Sequence, residues 1–241
     1  AMAKAMVSIS APADRVARGI NLKSMAGPLP QDEDALFEAR AALGHRPVWI
    51  ASSTHPGEEK SVLEAHRQLL ERFPDLCLIL APRHPERGNE VAELIGSAGL
   101  NFTRRTRGDM PGEQVFLADT LGELGTWYAL SDVVFLGGSL HPIGGHNPYE
   151  VAQAGAMVLS GTHVANFAET YAEMEAAGAA RLVAGTQDLA ERVADLLSND
   201  IARAKGVASA KAYAEAQTDK LDSIAERLIT ALRLMGTSGD A

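Results

Sequence analysis

The sequence predicts an α/β domain built on a doubly wound parallel sheet. Three observations carry that expectation. Apolar runs of strand length recur without polar alternation, stretches with helical spacing separate them, and the segments rich in Gly, Ser, Thr and His fall directly after the apolar runs. Continuous apolar strands must be buried on both faces, which a parallel sheet flanked by helices provides. Right-handed crossovers then make the domain Rossmann-like.

Taken in order, Pro47–Ser52 reads as a buried strand, followed by Val62, His66, Leu69, Leu70 and Phe73 on one helical face. Leu76–Ala81 is the next strand and 90–98 the next helix. A weak strand near Leu100–Thr103 precedes a stronger one at Val115–Ala118 and a helical stretch at Leu121–Leu130. Val133–Leu136 and Met157–Leu159 are strands separated by a Gly-rich loop and a short helix at Pro148–Ala154, and Leu182-Val183 closes the sheet. Residues 1–30 read as a lead-in segment whose Ala/Met start resembles an expression scar, and 31–200 as the Rossmann-like domain. Residues 201–241 read as a C-terminal helical tail. One stripe before the tail is Leu189, Val193 and Leu196, and one within it is Leu221, Ile224, Leu228 and Leu232.

Composition narrows the function. The 241 residues carry 22 Lys+Arg against 31 Asp+Glu, a net charge of −9, so no basic face is available to coat nucleic acid. A single cysteine, Cys77, excludes an intrachain disulfide and a cysteine-based zinc cluster, and its apolar neighbours predict a buried strand position. No stretch approaches the ~18 apolar residues of a membrane span, and the start lacks the apolar core of a signal peptide, so a cytosolic protein or domain is expected.

Doubly wound sheets bind ligands beyond the carboxyl ends of their strands, so four loops stand out. Ser52-Ser53-Thr54-His55-Pro56-Gly57 offers hydroxyls and free amides at a helix start, suited to an anion or to plain capping. Pro82-Arg83-His84-Pro85 places a cationic fork after a strand, or forms a proline-set turn. Thr120-Leu121-Gly122-Glu123 has Thr120 as a helix cap and a glycine where a ligand or a close packing contact approaches the backbone. Gly137-Gly138-Ser139 through Gly144-Gly145-His146-Asn147-Pro148-Tyr149-Glu150 is the most informative. Its glycines allow close backbone approach, Asn147 caps a helix, His146 can donate to a substrate oxygen, and Glu150 can accept from sugar hydroxyls. No phosphate-cradling Gly-Lys-Ser/Thr loop, dinucleotide fingerprint or metal-ligand set occurs, so neither cofactor nor metal is expected.

Together these loops resemble the 3-deoxy-D-manno-octulosonic acid (Kdo) transferase family. The resemblance rests on Ser53-Thr54-His55-Pro56-Gly57-Glu58-Glu59, Pro82-Arg83-His84-Pro85-Glu86-Arg87, Leu121-Gly122-Glu123-Leu124 and the segment from Gly137 to Glu150, with Asn21-Leu22-Lys23 resembling the entry into the family's second domain. It implies one half of a GT-B glycosyltransferase fold, the domain that holds the donor CMP-Kdo. It further implies that Pro82, Arg83, Leu121, Gly122, Glu123, Asn147, Pro148, Tyr149 and Glu150 contact the CMP part. Ser53, Thr54 and His55 then lie near the phosphate or the Kdo carboxylate, with Gly138, Ser139 and His146 completing the site. The family usually has Leu where Tyr149 stands, a change of packing more than of chemistry. By the same resemblance the acidic general base, the lipid A precursor acceptor and the membrane-facing surface belong to an N-terminal domain. No catalytic residue is therefore assigned here, and the chain alone is expected to be soluble and not to turn over. A half of a GT-B transferase using a UDP-sugar and a non-catalytic nucleotide-binding module are the alternatives.

Overall fold

The computed structural model describes residues 8–10 and 27–236. Asn21-Leu22-Lys23, most of the predicted lead-in and, apart from Ile224, the side chains of the Leu221 stripe lie outside the described residues. Residues Gly27–Glu215 form one compact unit; of a second unit, residues 8–10 and 216–236 are described, the latter helical.

The elements follow the predicted alternation. Helix α1 (Glu33–Leu43) is followed by β1 (Val48–Thr54), α2 (Glu58–Leu70), β2 (Cys77–Pro82), α3 (Gly88–Ser97), β3 (Phe102–Arg104) and β4 (Val115–Leu117). Then come α4 (Leu124–Tyr128), β5 (Val133–Leu136), α5 (Tyr149–Gln153), β6 (Met157–Gly161), α6 (Ala168–Ala177), β7 (Ala180–Val183), α7 (Thr186–Ser198) and α8 (Asp200–Gly236). The seven strands pair in parallel in the order β3-β4-β2-β1-β5-β6-β7. The chain therefore winds outward from β1 in one direction and from β5 in the other. The switch between β1 and β5 parts their following loops and opens a crevice at the carboxyl ends of the strands.

Strand periodicity explains the two-sided core. Ile50, Ile79, Phe116, Val134 and Val158 face one layer, where they meet Trp127, Tyr128, Tyr149, Tyr171 and Met174. Trp49, Leu78, Leu80, Val115, Val133, Phe135 and Leu159 face the other, against Val62, Leu69, Val91, Ile95, Leu189 and Val193. Each of these large side chains contributes roughly 1.5–3 kcal/mol by leaving water. Truncating one to Ala costs about 2–5 kcal/mol. Cys77 is buried as predicted, and burial pushes its thiol up to about 12, which leaves it inert.

Two expectations need correction. The stretch Leu121–Leu130 is helical only over Leu124–Tyr128, because Gly122 adopts φ +84 and Leu121 is exposed in the preceding turn. The first part of α8 packs on the domain, burying Ala210 and Ala214 and setting Gly206 beside Met157. The compact unit thus runs past residue 200 to Glu215. Among the described residues no helix is long and apolar enough to cross a membrane.

Candidate functional site

One buried carboxylate joins the loops after β1 and β5. Glu58, in the first turn of α2, is fully buried, and its Oε2 accepts from the His55 amide at 2.9 Å and the Gly138 amide at 2.7 Å. Its Oε1 accepts from the amides of Ser139 at 2.8 Å and Leu140 at 2.9 Å. Four backbone donors from the loops after β1 and β5 thus converge on one anion, each bond strengthened by its charge. Those amides are consequently not open to an incoming phosphate. The sequence shows only two acids after a glycine and a distant Gly-Gly pair, so this clamp is not evident from either segment alone.

Above the clamp sit histidines from both loops. His55 Nε2 lies 2.8 Å from His146 Nε2, with nearly parallel rings 5.1 Å apart between centroids, and the His84 ring stands edge-on to His55 at 5.8 Å. Gly138 makes this possible. It adopts φ +68, and a Cβ there would come within 2.8 Å of His146 Cδ2 and 2.9 Å of its Nε2. Burial, His55 and the Arg83 charge hold His146 at about 4, against a weaker opposing pull from Glu58. Burial also lowers His55, with Glu58 opposing and His84 and Arg83 reinforcing.

The remaining walls come from the tips of β2 and β5. Arg83 is exposed and its amide donates to Thr54 O at 2.9 Å, tying the β2 tip to the β1 tip. Its charge disfavours protonation of His55 and His146 and favours the charged form of Glu150. Burial raises the pKa of Glu150, and Arg83 counters that rise. Tyr128 shares a 2.8 Å hydrogen bond with Ser52, and Tyr171 donates to the His146 carbonyl at 3.2 Å, fixing the loop before α5. Asn147 Oδ1 accepts from the Tyr149 amide at 3.1 Å, a turn that prepares the start of α5 although Pro148 is the residue bounding the helix.

Several predicted residues are engaged inside the protein. The Ser139 hydroxyl is fully buried, donating to Leu136 O and accepting from Gly161 N. Tyr149 is buried and donates to Ala214 O at 3.2 Å. Ser53 bulges with φ +53, and the Thr54 hydroxyl beside it is buried without a hydrogen-bond partner. At the β4 tip, Glu123 receives the Arg105 guanidinium at 2.7 and 2.9 Å and the Thr120 hydroxyl. Thr120 thus holds Glu123 instead of capping α4. Burial opposes the Glu123 charge, but the Arg105 and Thr120 bonds outweigh it and keep its pKa below the usual carboxylate range. Arg105 also lies over the Trp127 ring at 5.6 Å, so the turn bearing Leu121 and Gly122 is braced from below. No spacing rule links Arg105 to Glu123, and the brace appears only once β3 and β4 are paired. Two cavities of about 410 and 750 Å³ lie elsewhere and contain none of the predicted site residues; Val48, Val133 and Tyr128 help line one and Met157 the other.

No family model matches the sequence. A 3-deoxy-D-manno-octulosonic acid transferase of Haemophilus influenzae is 44% identical over 156 residues, covering 64% of this chain and 36% of that protein. The protein of the same name from Bordetella pertussis is 39% identical over 178 residues, 67% of this chain and 41% of that one. The chain thus spans roughly two fifths of the length of these curated relatives. Among solved structures, the C-terminal CMP-Kdo binding domain of WaaA from Acinetobacter baumannii matches with a TM-score of 0.69 at 34% identity, over 74% of this chain and 97% of that one. The C-terminal domain of the glycosyl transferase LpcC from Francisella tularensis, at 16% identity and a TM-score of 0.53, shares the fold.

Proposed function

The chain belongs to the 3-deoxy-D-manno-octulosonic acid transferase family, and we propose that it is the donor-binding half of a GT-B glycosyltransferase, holding CMP-Kdo in the crevice between β1 and β5. The observation that carries this reading is the joining of the loops after β1 and β5 through the Glu58 clamp and the 2.8 Å His55–His146 contact, with the backbone of Arg83 tied to the same β1 tip through Thr54 O. In the proposal Arg83 offers a charged fork to the donor phosphate, and Glu150 accepts from the ribose hydroxyls. The Leu121-Gly122-Glu123 turn, with Pro82 and the Asn147–Tyr149 backbone, shapes the pocket for the nucleotide. As the bond between Kdo and phosphate breaks, negative charge grows on the departing CMP. Fixed cations and donors are worth most at that point because they need no reorganisation.

Under the same proposal the Kdo is delivered to a lipid A precursor in lipopolysaccharide synthesis, at the cytoplasmic face of the inner membrane. The acceptor site, the general base and the membrane contact are assigned to the part of the relatives that this chain does not span. The 241-residue chain then binds donor without transferring. Competition calorimetry tests the nucleotide assignment. CMP is expected to bind more tightly than UMP or UDP, and a preference for UDP overturns CMP-Kdo in favour of a UDP-sugar.

A further inference from the structure

The amides of Gly138, Ser139 and Leu140, which in a glycine-rich loop would ordinarily meet a phosphate, are consumed by Glu58. Those three amides are therefore not available to an anion, and charged side chains are the donors to consider. Besides Arg83, the groups at hand are the paired imidazoles of His55 and His146, their Nε2 atoms 2.8 Å apart.

That separation restricts the protons the pair can carry. A hydrogen bond between two Nε2 atoms needs one nitrogen protonated and the other bare, so both cannot carry a proton there. In the neutral pair one ring is the Nε2–H tautomer and its partner the Nδ1–H tautomer. One further proton can enter, at the remaining bare Nδ1, leaving the central bond intact and giving both rings an outward N–H donor. A second proton would set two N–H groups head to head at 2.8 Å.

We propose that the His55–His146 pair takes up a single proton when the anionic donor binds, becoming a cationic, two-donor clamp on the donor's phosphate. This rests on the donor-binding reading above. The charged and titratable groups around the pair are Arg83 and His84 from the β2 loop, Glu58 and Glu59 from α2, and Tyr171, which donates to the His146 carbonyl, with Glu150 of α5 sharing the Arg83 charge. Burial of both rings, with Arg83, disfavours protonation of the pair, and Glu58 is already satisfied by four amides. A ligand anion placed over the crevice offsets the Arg83 charge and favours the protonated pair. The proton comes from solvent, and no covalent bond changes.

The test is nitrogen-detected NMR of the histidine rings in the 241-residue chain at about pH 6, with and without saturating CMP. The free chain should show one Nε2–H and one Nδ1–H ring in the pair, and CMP should protonate the bare Nδ1. CMP affinity should also fall as pH rises, by up to about tenfold per pH unit beyond the phosphate's own titration. His146→Gln should remove that added slope. CMP binding with both rings unchanged overturns the proton uptake and leaves the donor site standing. Absence of CMP binding overturns both.

Discussion

Replacing Glu58 by Gln is nearly isosteric, yet it should be among the most damaging single changes at the crevice. The carboxylate accepts four backbone hydrogen bonds, two on each oxygen. An amide retains one acceptor oxygen and turns an NH2 group toward the other two donors. With Oε2 replaced, the amides of His55 and Gly138 lose their partner; with Oε1 replaced, those of Ser139 and Leu140 do. Each buried donor left unsatisfied costs about 1–3 kcal/mol, so a loss of about 3 kcal/mol is expected. For a domain of this size that lowers the melting temperature by about 6–12 °C. Urea denaturation of the purified chain, read by Trp fluorescence, measures it. Glu58→Gln within about 0.5 kcal/mol of the parent would refute the reasoning, because it would mean the two loops are not joined through this carboxylate.

Arg83→Ala removes an exposed cation and should weaken CMP binding by more than about tenfold, with a melting temperature within about 2 °C of the parent; calorimetry and a thermal scan check both. Gly138→Ala forces a left-handed φ of +68 on an L residue and drives a Cβ into His146. A stability loss of about 2 kcal/mol and disruption of the His55–His146 pair, seen by ring-nitrogen shifts, should follow. Arg105→Ala frees Glu123 and uncovers Trp127, and is expected to weaken CMP several-fold while costing about 1–2 kcal/mol in urea denaturation. His66 accepts from Trp49 Nε1 at 3.1 Å and has its Nε2 2.9 Å from Gln114 O, and burial lowers it to about 4 from 6.5. The unfolded chain therefore binds the extra proton first. Stability is full above pH 6.5 and declines as pH falls toward 4, by about 3 kcal/mol from this group. The urea midpoint should fall over that window, and His66→Gln should flatten the fall.

The sheet was legible because a strand buried on both faces has a simple signature. Val133–Leu136 is a continuous apolar run, and the structure places the strand over those four residues. Helix α1 was harder to see. Its buried stripe of Leu36, Ala39 and Leu43 is short and mostly small, and Asp32, which caps it by accepting from the Ala35 amide, follows a proline-rich entry. The loops that carry the candidate site could be located because glycine and hydroxyl residues cluster after apolar runs. Their internal wiring could not. Glu58 reads as an ordinary first-turn acid until β1 and β5 are known to be neighbours, and the Ser139 hydroxyl reads as a ligand until Gly161 is beside it. The half-buried Arg104 pairs with the buried Asp119 at 2.5 Å, and Asp119 also accepts from the Thr106 hydroxyl, a contact set by the parallel pairing of β3 and β4 and by no local spacing.

Backbone-amide shift mapping during a CMP titration tests the crevice most directly. Perturbed amides should cluster at 53–57, 83–84, 120–123 and 137–150, the tips of β1, β2, β4 and β5. Perturbations confined to the amino ends of the strands, around the cavity lined by Asp132, Arg203 and Lys211, would contradict it.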